Sequence, residues 1–182
     1  GVHVVIGAGN HAQRLVPPEH PEYDNYFIHD GASIYYNRVG SPYGTGCMLA
    51  GGLDSLTQNG KEKIIGYSVV GELVDIYAPA DECIAAASGS LNYPYYPYNV
   101  GSDYVLRRFG GTSCAAPQVA GLVAIHAGVK PKLSPQSMKS RIIGDATTNI
   151  MHEEQTFYTN NYKVFYNRYN QFASVTYSNQ DI

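Results

Sequence analysis

Phe109-Gly110-Gly111-Thr112-Ser113-Cys114-Ala115-Ala116-Pro117-Gln118-Val119-Ala120-Gly121 is the stretch on which the reading of this chain turns. Within and beyond it, Ala115, Val119, Leu122, Val123 and His126 recur at helical spacing, so a Gly-Gly-Thr turn opens directly into a helix. A serine at that junction has chemical meaning. A hydroxyl is a poor nucleophile at neutral pH, and the first turn of a helix offers unpaired backbone N–H groups that can hold developing negative charge. Gly110 and Gly111 permit backbone geometry closed to other residues, and the small Cys114, Ala115 and Ala116 let a substrate approach Ser113. Pro117 is expected within the first turn or so, where a missing N–H costs little.

Outward from this turn the chain reads as alternating short strands and helices. At the N-terminal end, Val2 to Gly7 is a β-branched run closed by Gly7-Ala8-Gly9-Asn10, as expected of a buried strand that turns sharply. Residues 12–45, rich in Pro, His, Tyr and Gly without a period, read as a long loop or a small excursion. Apolar runs between Cys47 and Pro79, punctuated by Gly and by Asn59-Gly60, predict two or three short strands, and Glu82 to Ser88 another. Residues 88–108, dense in Tyr, Pro, Gly and Asn, read as a surface loop. A second helix is predicted from Ser134 to Ile143, with Ser134 as N-cap, Pro135 at the first helical position and Gly144 near the stop. Beyond Thr148 a Tyr/Asn-rich tail alternates at Tyr162, Val164 and Tyr166, in the manner of an edge hairpin or an interaction arm. The fold class is α/β, a mostly parallel sheet with helices on its faces. Residues 1–148 form the body and residues 149–182 an extension.

The bulk numbers fit one domain. At 182 residues and 44% hydrophobic the chain can bury a sizeable core, and a net charge of -3 gives no electrostatic footprint for nucleic acid. No apolar run approaches the roughly 18 residues of a membrane span, so no span is expected. Cys47, Cys83 and Cys114 match neither a zinc site nor a dense disulfide framework, and Cys114 reads as a small structural thiol rather than a nucleophile. The chain begins inside an apolar strand, which reads as a processed or excised piece.

The segment from Gly111 to Gly121 resembles the nucleophile motif of the subtilisin-like serine proteases, the subtilase family, G-T-S-x-A-x-P-x-V-A-G, at every fixed position. Cys114 stands where Met is usual and Gln118 where His is usual. Val4-Val5-Ile6-Gly7-Ala8-Gly9-Asn10 is similar to the family's strand ending in A-G-N, and the residues from Ala50 to Pro79 follow its next strands, although Ala78-Pro79-Ala80 lacks the usual third-position Gly. The resemblance covers about Val2 to Thr148. It implies a peptide-hydrolysing role for Ser113 as nucleophile, with Asn10 donating to the oxyanion, Thr112 supporting it, and Ala8, Gly9 and Gly111 lining the substrate. It also implies a secreted or extracellular setting. No metal or other cofactor is expected; calcium is left open, since Asp24, Asp30, Asp54 and Asp81 lie in loops without ligand spacing.

The family's Asp and His belong to segments absent from this sequence. None of His3, His11, His20, His29, His126 and His152 is followed by Gly-Thr or opens an apolar helix, and each reads as structural or solvent-exposed; His11 is notable for standing beside Asn10. The expectation is therefore the C-terminal chain of a cleaved two-chain endopeptidase, completed by an N-terminal fragment of the same precursor that carries Asp and His, and acting on a peptide or protein substrate. The alternative is a catalytically silent half-domain that docks through its tyrosines. A general esterase is disfavoured, because Gly111-Thr112-Ser113-Cys114-Ala115 lacks the second Gly of a G-x-S-x-G elbow.

Overall fold

Met48–Leu53 is buried at all of its residues, as a strand covered on both faces must be. In the computed structural model this strand stands second in a five-stranded sheet; the structure describes residues 1–35, 37–38, 46–57, 59–88, 104–148, 155–159, 162–166 and 171–172. The strands in chain order are β1 (Val5–Gly7), β2 (Arg14–Leu15), β3 (Tyr26–His29), β4 (Ala32–Tyr35), β5 (Met48–Leu53), β6 (Val70–Gly71), β7 (Ile76–Pro79), β8 (Cys83–Ser88) and β9 (Tyr104–Phe109). Two helices follow, α1 (Thr112–Val129) and α2 (Pro135–Gly144), then β10 (Thr147–Thr148), β11 (Gln155–Thr159), β12 (Tyr162–Tyr166) and β13 (Gln171–Phe172).

The sheet runs β1-β5-β7-β13-β10. β5 pairs in parallel with β1, Ile6 against Leu49, and with β7, Gly51 against Tyr77. β13 is parallel to β7, and β10 is antiparallel to β13. Strand alternation then sorts the core into two layers. Met48, Ala50, Ile76 and Ala78 face Ala115, Val119 and Val123 of α1 and Met138 and Ile142 of α2. Leu49, Leu53 and Tyr77 face the other way, under Leu15, Val69, Val70 and Val74. Each large apolar side chain buried this way contributes about 1.5–3 kcal/mol.

The mostly parallel α/β sheet matches the sequence reading, with differences of detail. Both described helices lie on one face; the other is covered by the β2–β6 pair and its flanking loops, because the apolar stripes of α1 and α2 share a single layer. The second helix starts as predicted, with Ser134 as N-cap, its hydroxyl accepting from Ser137 N at 3.1 Å, and Pro135 first in the helix; it runs one residue further than predicted, to Gly144. The segment read as a surface loop ends in a strand, since Tyr104–Phe109 pairs antiparallel with β8; residues 89–103 lie outside the described ones. The excursion at 12–45 carries β2 and the β3–β4 hairpin, with residues 36 and 39–45 outside the described ones. In the tail, β11 and β12 pair as a hairpin and β13 enters the central sheet.

One helix departs from the expectation that no apolar run is long enough to span a membrane. α1, 18 residues with a mean hydropathy of 1.2, is long and apolar enough to cross a membrane by length and composition. One face of it packs on the sheet, where Ala115 and Val119 are completely buried, but only 22% of the helix is buried in all.

Candidate active site

Gly7 ends β1 directly beneath the start of α1. A Cβ at Gly7 would lie 2.9 Å from both the carbonyl and the hydroxyl oxygen of Thr112, so only a glycine lets strand and helix come this close. The chain then crosses over. Ala8 N donates to Ala50 O at 2.9 Å, Gly9 N to Thr112 Oγ1 at 3.0 Å, and Gly9 O accepts from Val69 N at 2.9 Å.

Asn10 arrives with its side chain oriented by these contacts. Its Oδ1 accepts from Thr112 N at 2.8 Å and from the Thr112 hydroxyl at 3.1 Å. The carbonyl side of the amide is thereby spent on the helix, and Nδ2 is the end left to donate outward. Thr112 uses its hydroxyl proton on Asn10, so its support of an anion runs through Asn10.

Gly111 is the N-cap of α1, at φ 115°, a conformation that favours glycine. A Cβ there would stand 3.0 Å from Asn10 Nδ2. Its N–H is held from two sides, by Ala80 O at 2.8 Å and by the Tyr67 hydroxyl at 2.6 Å; that hydroxyl in turn donates to Ala80 O at 2.9 Å. Its carbonyl accepts from Cys114 N at 2.8 Å. With the N–H groups of Ala8, Gly9 and Gly111 all committed inside the chain, these residues shape the site sterically. Burial pushes the Tyr67 hydroxyl above its ordinary pKa, with the Gly111 N–H opposing, so the phenol stays protonated.

Ser113 is thus presented exposed at the second position of α1, among the donors that the helix itself does not satisfy. The first turn contains no acidic residue to neutralise the positive end of the helix. Pro117 falls deeper than expected: it is the sixth helical residue, beyond the first turn, and the i+4 donor to the Ser113 carbonyl is missing as a result. Among the described residues no side chain accepts a hydrogen bond from the Ser113 hydroxyl. His126 lies 13 residues further along α1, about 20 Å away along the axis, where it faces Asp145 at 3.9 Å. His11 is exposed, and His20 accepts from Glu22 N.

Beside Ser113 opens a cleft of about 580 Å³ between β8 and the first turns of α1, lined by Cys83, Ile84, Phe109, Cys114, Pro117 and Gln118 among others. Exposed Gln118 bridges the two walls, with Nε2 donating to Pro79 O at 2.7 Å and to Cys114 O at 2.9 Å. Neither the role of Tyr67 nor this cleft is legible in the sequence. The only local signal for Tyr67 is its place just before Ser68-Val69-Val70-Gly71, and the cleft needs the β8–β9 pairing, which sequence did not show. Among the described residues no cluster could hold a metal ion.

A model of the subtilase family matches residues 1–165. The subtilisin-like protease SBT3.11 of Arabidopsis thaliana is 34% identical over 83 residues, 46% of this chain and 10% of that protein. Among solved structures, fervidolysin of Fervidobacterium pennivorans, a keratinolytic enzyme related to subtilisin, superposes with a TM-score of 0.54 at 23% identity, over 81% of this chain and 19% of its own. A protease of Pseudoalteromonas arctica gives a TM-score of 0.55 at 22% identity, over 81% of this chain and 37% of its own. These superpositions show the fold, and the chain spans well under half of each relative.

Proposed function

The chain belongs to the subtilase family, and from that premise we propose that it is the nucleophile-bearing part of a serine endopeptidase. Ser113 Oγ attacks the scissile carbonyl, and the Asn10 side-chain Nδ2 and the Ser113 N–H take the oxyanion. The observation that carries this is the pair of hydrogen bonds from Thr112 to Asn10 Oδ1, which leaves a preorganised donor at the start of α1 without a further ordering cost. Thr112 and Tyr67 are positioning residues, the first for Asn10 and the second for Gly111.

The general base and its orienting carboxylate come, in this reading, from an N-terminal segment of the same precursor, separate from this chain after cleavage. Two surfaces support that partner. Beyond β1 the described sheet has no further strand, with Val2 and Val4 exposed there, and α1 exposes Ile125 and Val129. Further strands of the same sheet and a helix bearing the base would cover both. The substrate is a peptide or protein, and the setting secreted or extracellular.

A second reading, a catalytically silent half-domain that serves in assembly, draws on the Ser113 hydroxyl having no described acceptor. One experiment separates them: fluorophosphonate labelling of the native preparation, with the intact mass of every chain present. Labelling at Ser113, lost in Ser113→Ala, together with a second chain bearing His and Asp, is the expected result. An unlabelled Ser113 in a preparation with no such chain would sink the peptidase reading and leave the assembly role.

A further inference from the structure

Gln118 brings two cysteines together beside Ser113, and hydrolysis uses neither thiol. Its Nε2 stands 2.9 Å from the carbonyl of Cys114, one residue past Ser113 on α1, and 3.9 Å from Sγ of Cys83 on β8. Cys83 and Cys114 line the same cleft as Ser113 itself, one from each wall. Both are half-buried and neither is in a disulfide. The Cys83 thiol is pushed above its ordinary range, first by burial and then by the Cys114 thiol beside it. The cleft is reachable: its rim residues Ile84 and Phe109 are exposed. Cys47, the remaining cysteine, sits just before β5, where its carbonyl accepts from Lys139 Nζ.

We propose that Cys83 and Cys114 are a redox-responsive dithiol, oxidised by a low-molecular-weight disulfide to a cystine that spans the cleft and obstructs substrate approach to Ser113. The chemistry balances with oxidised glutathione as the oxidant. One cysteine gives up its proton and attacks a glutathione sulfur, forming a mixed disulfide; the glutathione thiolate that leaves takes up the proton. The second cysteine then attacks the protein sulfur of that mixed disulfide, and the second glutathione leaves as thiolate and is protonated in turn. Two protein thiols have lost two electrons, and one oxidised glutathione has become two reduced ones. The new S–S bond ties β8 to the first turn of α1 and fills space that a substrate side chain next to the scissile bond would need. This consequence for access rests on the peptidase reading; the pairing does not.

The test treats the native preparation with oxidised glutathione, blocks remaining thiols with iodoacetamide, and maps the peptides. The expected product is a Cys83–Cys114 cross-link with Cys47 alkylated, reversed by dithiothreitol. Separate glutathione adducts at Cys83 and Cys114, a bridge to Cys47, or unreacted thiols would each overturn the inference, whatever Ser113 does. In parallel, labelling of Ser113 by a peptidyl phosphonate is expected to fall at least tenfold on oxidation and to recover on reduction, whereas in Cys83→Ser oxidised glutathione no longer produces a cross-link. A cross-link with unchanged labelling overturns the obstruction. A cross-link in a preparation whose reduced form never labels upholds the dithiol and counts against the peptidase reading alone.

Discussion

The two ends of α1 are built on opposite principles. At its start the backbone is tied from several directions: Asn10 holds Thr112, Tyr67 and Ala80 hold Gly111, and Gly7 admits the strand beneath. Towards its far end, Ile125 and Val129 stand exposed, and the polar contacts gather around His126, Arg141 and Asp145. The first region is complete in itself. The second presents apolar surface of the kind that proteins cover with other chain. The turn that bears Ser113 is therefore shaped within this chain, while the far end of the same helix offers surface for further chain, as the proposed peptidase reading requires.

That contrast can be broken most forcefully at Asn10. Asn10→Ala should slow fluorophosphonate labelling of Ser113 in the assembled protein by about 10²–10³-fold, a magnitude carried over from subtilisin itself; unchanged labelling would show that the turn does not organise an oxyanion site. Ile125→Glu probes the other end. A charge on a covered face costs several kcal/mol without a partner, so a co-purifying chain should be lost from this variant while the isolated chain keeps its melting temperature. Retention of the partner would place its docking face elsewhere.

Gly111→Ala comes next. A Cβ at φ 115° and 3.0 Å from Asn10 Nδ2 should lower stability by about 1–3 kcal/mol, read from denaturant unfolding, and slow labelling as the amide is displaced. The smallest effect belongs to Tyr67→Phe. Gly111 N keeps Ala80 O as an acceptor, so the loss should be about 0.5–1.5 kcal/mol. Its sharper signature is in pH. The folded pKa of Tyr67 is raised, so the stability its protonated hydroxyl contributes is fully present below the ordinary tyrosine value of about 10 and is lost as pH rises through the folded value. The wild type should weaken in that alkaline window and Tyr67→Phe should lack that component.

The parts of this molecule that sequence revealed are those in which neighbours along the chain do the work. Gly111-Thr112-Ser113 announces a turn into a helix because the glycine, the small residues and the helical stripe are contiguous. Ser134 and Pro135 mark a helix start for the same reason. The β-branched run before Gly7 marks a strand, but only Val5–Gly7 pairs, and it is half-buried rather than buried because Val2 and Val4 lie exposed at the edge. Contacts made across the chain were not legible. Tyr67 matters through a hydroxyl that meets Gly111, 44 residues away, and Gln118 through the carbonyl of Pro79, 39 residues away. The alternation in β9 was masked by the Pro- and Tyr-rich residues before it, and β13 is two residues long, too short for any period to show. Pro117 was misplaced by a few positions because the motif does not say which residue begins the helix.

The hydrogen bonds that shape the turn before Ser113 join residues 102 and 103 apart: Asn10 with Thr112, and Gly9 with Thr112. Closing loops of that length is among the slow events of folding, since the entropy of ordering the chain is spent before the contact returns anything. An emerging polypeptide that has just exposed Ser113 already holds Asn10, but the two meet only when β1, β5 and α1 dock. Synthesis of the motif and assembly of the turn's hydrogen bonds are thus separated in time, and the geometry around Ser113 is timed by folding.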